Sequence, residues 1–308
     1  MTVPRQAVDV ESPTERRNPR TVDLDLLSTL DLLRSINAED RLVPDAVATA
    51  LPALATAVDL AVAALRGGGQ VHYVGAGTSG RLATLDAAEL APTYNAPPDW
   101  FVVHHAGGSE ALRNAVENAE DDEAAAAEEM ARDVSAGDFV LGLTASGRTP
   151  YVLGALREAG ARGARTGLVF SNPHATGLMD IDVLIEVDTG PEAIAGSTRM
   201  KAGTAQKLVL TAFSTAVMVK LGRTYSNLMV SMRATNAKLR GRTLRILRET
   251  TGVEAAACAD ALAEAHGDLK VAMVHLLSGA DTTASARALG EANGQVRTAL
   301  AALGVAAV

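Results

Sequence analysis

The spacing of apolar residues changes along the chain, and each spacing predicts a different kind of element. Between residues 25 and 66, apolar residues recur every three or four positions, which predicts two or three helices with Pro44 and Pro52 near starts or bends. Short apolar runs then predict five strands: Val71–Val74, Trp100–His104, Phe139–Leu143, Gly167–Phe170 and Val183–Val187. The helical stretches between the first four strands are Arg81–Leu90, Ala111–Asn118, Ala124–Val134 and Tyr151–Glu158.

This alternation of strands and helices is typical of an α/β fold, a doubly wound parallel sheet of about five strands with helices on both faces. Ligands of such sheets bind in the loops at the carboxyl ends of the strands. The predicted organisation has three parts: an N-terminal arm with helices (1–60), the sheet domain (61–224) and a small all-helical C-terminal region (225–308). We expect the polar residues up to about 20 to order only on contact with something else.

Beyond the last strand, Ala202–Lys220 and Leu228–Leu247 read as long helices. The final 60 residues carry a weak repeat with an offset of 27 positions, in which Gly267 is echoed by Gly294 and Lys270 by Arg297. Each copy predicts a short helix, a glycine turn and a second helix. We interpret this tail as a small packing bundle with no catalytic role.

Composition narrows the function classes. Only 3% of residues are aromatic and the formal net charge is -8, which argues against a nucleic-acid partner. The single cysteine, Cys258, excludes an intrachain disulfide. The N-terminal sequence does not resemble a signal peptide and no apolar run reaches membrane-spanning length, so we expect a cytoplasmic protein that acts on a small molecule.

Two loops rich in glycine and hydroxyl groups each follow a predicted strand. The first, residues 75–80, has the sequence GAGTSG and matches G-x-G-x-x-G, but the next predicted strand ends in two histidines, without the acid that a dinucleotide ribose requires. The second, residues 144–150, has the sequence TASGRTP. Hydroxyls and amides at helix starts suit a phosphate monoester. The predicted sugar-phosphate ligands are Gly77, Thr78, Ser79, Ser146, Gly147 and Thr149.

These loops resemble those of SIS (sugar isomerase) domains, and the surrounding segments resemble the N-acetylmuramic acid 6-phosphate etherase family. The matching segments cover most of residues 14–250: residues 14–19, 75–89, 145–152, 190–210, 227–230 and 234–239. The departures, at residues 90–92 and at Thr211, remove no group that transfers protons. The resemblance implies cleavage of the D-lactyl ether at C3 of the sugar without a metal or a nucleotide cofactor.

The resemblance also implies two catalytic carboxylates. Glu89 matches the residue that protonates the departing lactate oxygen and then activates water, and Glu120 matches the base that removes the C2 proton. Sequence alone would not select either residue. Glu120 stands in an acidic run that ordinarily forms a solvated helix face, and Glu89 would pass as a surface residue.

A third group, Ser197, Arg199 and Lys201, precedes a long predicted helix. Its cations either bind the phosphate or the lactyl carboxylate, or are solvated residues of an ordinary helix start. No spacing typical of a metal site occurs among the six histidines and one cysteine. We expect a homodimer, because SIS domains commonly pair. Two other functions share these loops: a non-catalytic sugar-phosphate sensor and an aldose-ketose sugar-phosphate isomerase.

Overall fold

Buried aliphatic runs form a five-stranded parallel sheet. The computed structural model describes residues 12–114, 116–178, 180–232 and 237–305. The strand order is β2-β1-β3-β4-β5, and β1 and β3 are buried along their whole length, as central strands of a parallel sheet are. The strands are β1 Val71–Gly75, β2 Phe101–His105, β3 Phe139–Leu143, β4 Arg165–Phe170 and β5 Val183–Glu186. All five strands predicted from the sequence, and the α/β doubly wound fold, are confirmed.

Seven helices surround or precede the sheet in the described chain. Three lie at the N-terminus, and the second and third of them start close to Pro44 and Pro52 as predicted, because proline suits the first helical turn. The helices are α1 Thr29–Asp40, α2 Val43–Thr49, α3 Leu51–Arg66, α4 Gly77–Tyr94, α5 Glu123–Asp133, α6 Pro150–Ala161 and α7 Lys201–Lys220. Within the described ranges no single helix is long and apolar enough to cross a membrane, and one bent pair, Thr29–Thr49 with Leu51–Arg66, passes that test by length and composition only.

The described residues divide into two compact units. The first lies within residues 1–87 and 99–213 and contains the sheet, whose core is aliphatic around a small aromatic group. In that group the Phe213 ring centroid lies 6.1 Å from that of Tyr73 and 5.9 Å from that of Phe139. The second unit lies within residues 88–98 and 214–308.

The second unit holds a short antiparallel hairpin and a helical bundle. The hairpin pairs β6 Thr224–Tyr225 with β7 Leu228–Met229, and the helices are α8 Ala237–Thr251, α9 Ala255–Glu264, α10 Leu269–Ser278, α11 Thr282–Glu291 and α12 Val296–Ala302. The predicted repeat is visible here, since α9–α10 and α11–α12 are each joined by a turn with positive φ, at Gly267 and Gly294. The Lys270 ammonium donates to the carbonyls of Gly222 (2.7 Å) and Gly294 (2.9 Å) and so links these turns.

Three predicted elements differ from the structure. The helix expected over Ala111–Asn118 is absent from the described part of that stretch, where a short 3-10 helix, Gly108–Leu112, follows two glycines with positive φ. The helix expected from Leu228 begins at Ala237, because Ser226 takes a left-handed φ and turns the chain into the hairpin. The expected free arm is packed in its described part, where Thr14 is buried and its carbonyl accepts from the amide of Gly196. Residues 1–11 lie outside the described chain.

Two glycines offer a matched test of core packing. A Cβ on Gly142 in β3 would lie 2.7 Å from Val152 Cγ1 and 2.9 Å from Leu156 Cδ1, whereas a Cβ on Gly160 in α6 would meet nothing within 4 Å. We expect Gly142→Ala to lower the free energy of unfolding by about 1–3 kcal/mol through overpacking. The control, Gly160→Ala, should raise it by about 0.4–1 kcal/mol. Urea denaturation measures both changes, and equal effects would contradict the packing described here.

Candidate active site

The first glycine loop joins β1 directly to α4. Gly77 takes a φ of +54°, which lets the chain turn from the strand into the helix within two residues. The first backbone N–H groups of a helix have no carbonyl partner within it, so the start of α4 offers donors for an anion. Thr78 is half-buried there and Ser79 is buried.

The third glycine of this loop makes room for a histidine. A Cβ on residue 80 would lie only 2.0 Å from His105 Cδ2, so the imidazole occupies the space that a side chain at Gly80 would need. His105 Nε2 donates to the carbonyl of Gly77 at 3.2 Å and thereby holds the loop. His105 ends β2 opposite Gly75, and it is a site residue that the sequence analysis missed. Its position at the carboxyl end of a strand beside β1 is the signal that could have found it.

A buried hydroxyl organises the second loop. Thr144 Oγ1 lies 2.7 Å from Thr149 Oγ1 and 3.3 Å from Ser146 Oγ, within hydrogen-bonding reach of both. The Asn172 side-chain amide donates to the Ser146 carbonyl at 3.1 Å. Gly147 has a φ of +71°, and a Cβ there would also lie 2.6 Å from Ala175 Cβ. Hydrogen bonds of the Thr144 hydroxyl and the Asn172 amide therefore fix this loop, together with the left-handed conformation of Gly147.

The sheet brings the two loops to one edge. β1 and β3 are neighbouring parallel strands, and Gly75 lies opposite Leu143 in their register, so the loops that follow begin at the same level. The start of α7 reaches the same place, because a Cβ on Gly203 would lie 3.4 Å from Thr78 Cγ2. This edge lies where β2 and β3 flank β1 on opposite sides, the point at which doubly wound sheets bind ligands.

A cavity of about 460 Å³ joins the first loop to Glu120. Gly77, Arg81, His105 and Glu120 are among the residues that line it. Glu120 lies in a short 3-10 helix, Ala119–Asp121, and its side chain is exposed. The structure thus brings the predicted C2 base and the start of α4 to one cavity.

Glu89 lies further along α4 and its side chain is exposed. Glu89 belongs to the second unit, whereas Glu120 belongs to the first. The division of chemistry between these two glutamates stays a prediction.

In the segment before α7, one of the two cations, Lys201, fits neither alternative considered for it. Ser197 is half-buried and Arg199 is exposed, but Lys201 is fully buried and its ammonium donates to Glu39 Oε2 at 2.8 Å. Lys201 is neither solvated nor directed to a ligand, because burial without its carboxylate partner would leave a costly unpaired charge. In this structure Lys201 holds the loop, and Ser197 and Arg199 remain the predicted substrate ligands of the segment.

Glu39 accepts hydrogen bonds from three residues that belong to two other parts of the chain. Besides Lys201, its carboxylate accepts from Asn18 Nδ2 at 2.7 Å and from Arg20 at 2.5 and 2.8 Å. These bonds, that from Arg20 above all, lower the pKa of Glu39 from its ordinary value of 4.5 to about 2, although burial acts in the opposite direction. We call Asn18, Arg20, Glu39 and Lys201 the Glu39 cluster.

A second buried carboxylate caps α7. Glu192 accepts from the backbone N–H groups of Lys201 at 2.8 Å and Ala202 at 2.9 Å. Burial raises the pKa of Glu192, against the lowering effect of these two bonds. In the described ranges, no group of three His, Cys, Asp or Glu side chains is placed to hold a metal ion.

Comparison with known proteins identifies the family of this chain. The chain is 61% identical to an N-acetylmuramic acid 6-phosphate etherase of Thermobifida fusca over 269 residues, covering 87% of this chain and 88% of the relative. The enzymes of the same name from Pectobacterium atrosepticum and Serratia proteamaculans are 51% and 50% identical, covering 86% of this chain and 88% and 90% of theirs. The chain belongs to the N-acetylmuramic acid 6-phosphate etherase family.

Two further comparisons place this etherase-family chain among SIS folds. Residues 53–159 match the model of the glucokinase regulatory protein N-terminal SIS domain. A phosphoheptose isomerase from Francisella tularensis shares 21% sequence identity with a TM-score of 0.51, covering 63% of this chain and all of that one, and it supports the fold alone. The family resemblance inferred from the sequence is confirmed. Residues 234–236 of the quoted segment 234–239 lie outside the described chain.

The Glu39 cluster predicts a pH-dependent stability. Because the folded pKa of Glu39 lies below its ordinary value, its contribution is complete above about pH 4.5 and is lost as the pH falls toward about 2. Glu39→Gln should lower the free energy of unfolding by about 3–5 kcal/mol at pH 7, since it leaves Lys201 buried without its counter-charge. Denaturant titrations at several pH values should find this difference shrinking in acid.

The control is Glu158→Gln, which removes a surface pair with Arg162 at 3.8 Å. This change should cost less than about 1 kcal/mol at any pH. A Glu39 variant as stable as the Glu158 variant would show that the buried cluster does not stabilise the unit.

Proposed function

We propose that this chain cleaves the D-lactyl ether of N-acetylmuramic acid 6-phosphate, releasing D-lactate and N-acetylglucosamine 6-phosphate. The observation that carries the proposal is the cavity shared by the start of α4 and Glu120, in a chain of this family. Its lining supports the proposal, because it includes both a carboxylate, which can act as a base, and the start of a helix, whose backbone donors suit a phosphate. The etherases named above support the choice of substrate.

The proposed chemistry is an elimination followed by addition of water. In the open-chain sugar, the C2 proton lies next to the aldehyde, so a base can remove it and leave an enolate. The enolate then expels lactate from C3, which needs a proton on the departing oxygen because an alkoxide is a poor leaving group. Water adds at C3 of the unsaturated aldehyde, and C2 regains a proton. The net reaction consumes one water and needs no redox cofactor.

The residues divide this work as follows. Glu120 removes the C2 proton, and Glu89 protonates the lactate oxygen and then activates the water. The start of α4 with Gly77, Thr78 and Ser79, and the second loop with Ser146, Gly147 and Thr149, bind the phosphate and sugar hydroxyls. Ser197 and Arg199 serve the same substrate, with Arg199 as a candidate for one of its anionic groups.

The two alternatives share the loops but are less well supported. A non-catalytic sugar-phosphate sensor would not need the carboxylate at the cavity, and an aldose-ketose isomerase would not be expected to carry the segment 190–210. The relatives at 50–61% identity are named as etherases, which favours the enzyme. A cytoplasmic location and a role in the catabolism of cell-wall amino sugars, by recycling the cell's own wall or by uptake, are parts of the same proposal.

We also propose a homodimer formed through an apolar face at the start of the chain. Leu30 and Leu33 lie three residues apart on α1 with exposed fractions of 56% and 58%, and Leu26, at the end of the 3-10 helix Leu24–Leu26 that precedes α1, is 78% exposed. Val22 and Leu27 nearby are also exposed. An exposed patch of this kind is typical of a protein interface.

The activity is tested by incubating the protein with N-acetylmuramic acid 6-phosphate and assaying D-lactate, after dialysis against EDTA and without added nicotinamide. Wild-type protein should release lactate, and the dephosphorylated sugar should be a far poorer substrate because it lacks the group that the loops bind.

Variants of the two glutamates should separate removal of the C2 proton from release of lactate. Glu89→Gln should reduce lactate release by about 10²–10⁴-fold yet still exchange the C2 proton with heavy water.

Glu120→Gln should lose both C2 exchange and lactate release, because no later step can occur while the proton remains. Mass spectrometry of recovered substrate separates the two variants. Exchange that persists in the Glu120 variant and disappears in the Glu89 variant would reverse the assigned roles. Equal activity on the phosphorylated and dephosphorylated sugars would contradict the proposed phosphate recognition. Loss of activity in EDTA that zinc or magnesium restores would contradict the metal-free mechanism.

The dimer is tested by light scattering. The wild type should have about twice the mass of one 31.7 kDa chain, and Leu30→Glu with Leu33→Glu should shift it toward one chain, since buried carboxylates oppose association. Ala124→Glu, on the exposed start of α5, adds the same kind of charge away from this face and should leave the mass unchanged. A wild-type mass of one chain at all concentrations would contradict the dimer.

A further inference from the structure

One guanidinium holds the loop that precedes Glu120. Arg81 Nη2 donates to the carbonyls of Ala111 at 2.7 Å and Asn114 at 3.2 Å, and Arg81 Nε donates to that of Leu112 at 3.1 Å. Three carbonyls from four successive residues therefore converge on one half-buried side chain. Arginine suits this task because its donors are fixed in one plane, whereas lysine offers a single mobile ammonium.

Apart from Arg81, the described part of the loop is held by two short 3-10 helices, Gly108–Leu112 and Ala119–Asp121, and by local bonds such as that from the Asn114 amide to the Glu110 carbonyl at 3.1 Å. It enters through Gly107 and Gly108, both with positive φ, and Asn118 beyond it is left-handed as well. Its described residues belong to no strand or α-helix between β2 and α5. The carbonyls that a helix would have paired with its next turn are taken by Arg81 instead. The conformation of this loop thus depends on a side chain from α4.

Arg81 lies in the second turn of α4, four residues after Gly77. One end of α4 therefore carries both the backbone donors of the first loop and the guanidinium that holds the approach to Glu120. His105 completes the connection, since it bonds the Gly77 carbonyl from the end of β2 and lines the same cavity as Arg81 and Glu120.

We propose that Arg81 is a positioning residue that fixes residues 111–120 relative to the start of α4, so that Glu120 meets C2 of a sugar whose phosphate is bound there. This inference rests on the function proposed above. In this proposal Arg81 acts through the loop and not on a reacting atom, because its Nε and Nη2 groups already donate to the three carbonyls. Its effect is on the geometry of proton removal, where a displacement of about 1 Å can cost about 100-fold in rate.

The kinetic test uses Arg81→Ala and Arg81→Lys. Both should slow C2 proton exchange and lactate release by about 100-fold, while the inhibition constant of inorganic phosphate, used as a competitive probe of the loops, should change less than about twofold. Added methylguanidinium should restore part of the activity of Arg81→Ala and none of that of Arg81→Lys. Arg113→Ala is the matched control, because Arg113 is an exposed arginine in the same loop, and it should behave as wild type.

A second measurement does not depend on activity. Backbone hydrogen exchange followed by mass spectrometry should show faster exchange over residues 108–122 in the Arg81 variants, with β1 and β3 unchanged. If Arg81→Ala does not fold, Arg81→Lys decides both measurements. Unchanged exchange in the loop, or a loss of phosphate affinity as large as the loss of rate, would overturn the proposal. A wild-type protein that releases no lactate would refute the proposed etherase activity, while the exchange data would still decide whether Arg81 holds the loop.

Discussion

The first unit depends on a buried ion pair between Lys201 and Glu39. The Lys201 ammonium and the Glu39 carboxylate are almost completely buried, and burial of the ammonium would be costly without this carboxylate. Their 2.8 Å contact joins residues 162 positions apart, and Asn18 and Arg20 add a third part of the chain to it. Lys201 is also the first residue of α7. Its bond to Glu39 therefore anchors the end of the segment that carries Ser197 and Arg199.

The parallel sheet supplies a second constraint. The parallel register puts the carboxyl ends of β1 and β3 at the same level of the sheet. The two loops that follow these strands therefore lie at one edge, although more than 60 residues separate them in the sequence. Local chemistry then shapes each loop differently. The first is held by an imidazole in the space left at Gly80, and the second by a buried threonine hydroxyl. The same edge of the sheet thus presents two loops whose rigidity comes from unrelated sources.

Much of this could be predicted from the sequence, because the signals are local. A run of four or five aliphatic residues is enough to predict a buried strand. A glycine loop between a strand and a helix can then be placed at the carboxyl end of that strand. The burial of Lys201 could not be predicted, since its partner lies in a different helix and nothing near Lys201 indicates it. The irregular loop before Glu120 was read as a helix because its apolar spacing is helical. In the structure, glycines with positive φ precede this stretch and its carbonyls accept from Arg81, a residue 30 positions earlier in the chain.

Glu192 has a consequence for how an anion is oriented. Two helices, α4 and α7, begin near Thr78, and the positive end of each would attract a negative group. At α7 the protein's own carboxylate already bonds the first amides, so a ligand arriving there meets a negative charge. Only the start of α4 is left attractive. For a substrate with a phosphate at one end and a carboxylate at the other, the two helix starts are therefore unequal, and an anionic group that approaches them is directed to α4 and not to α7.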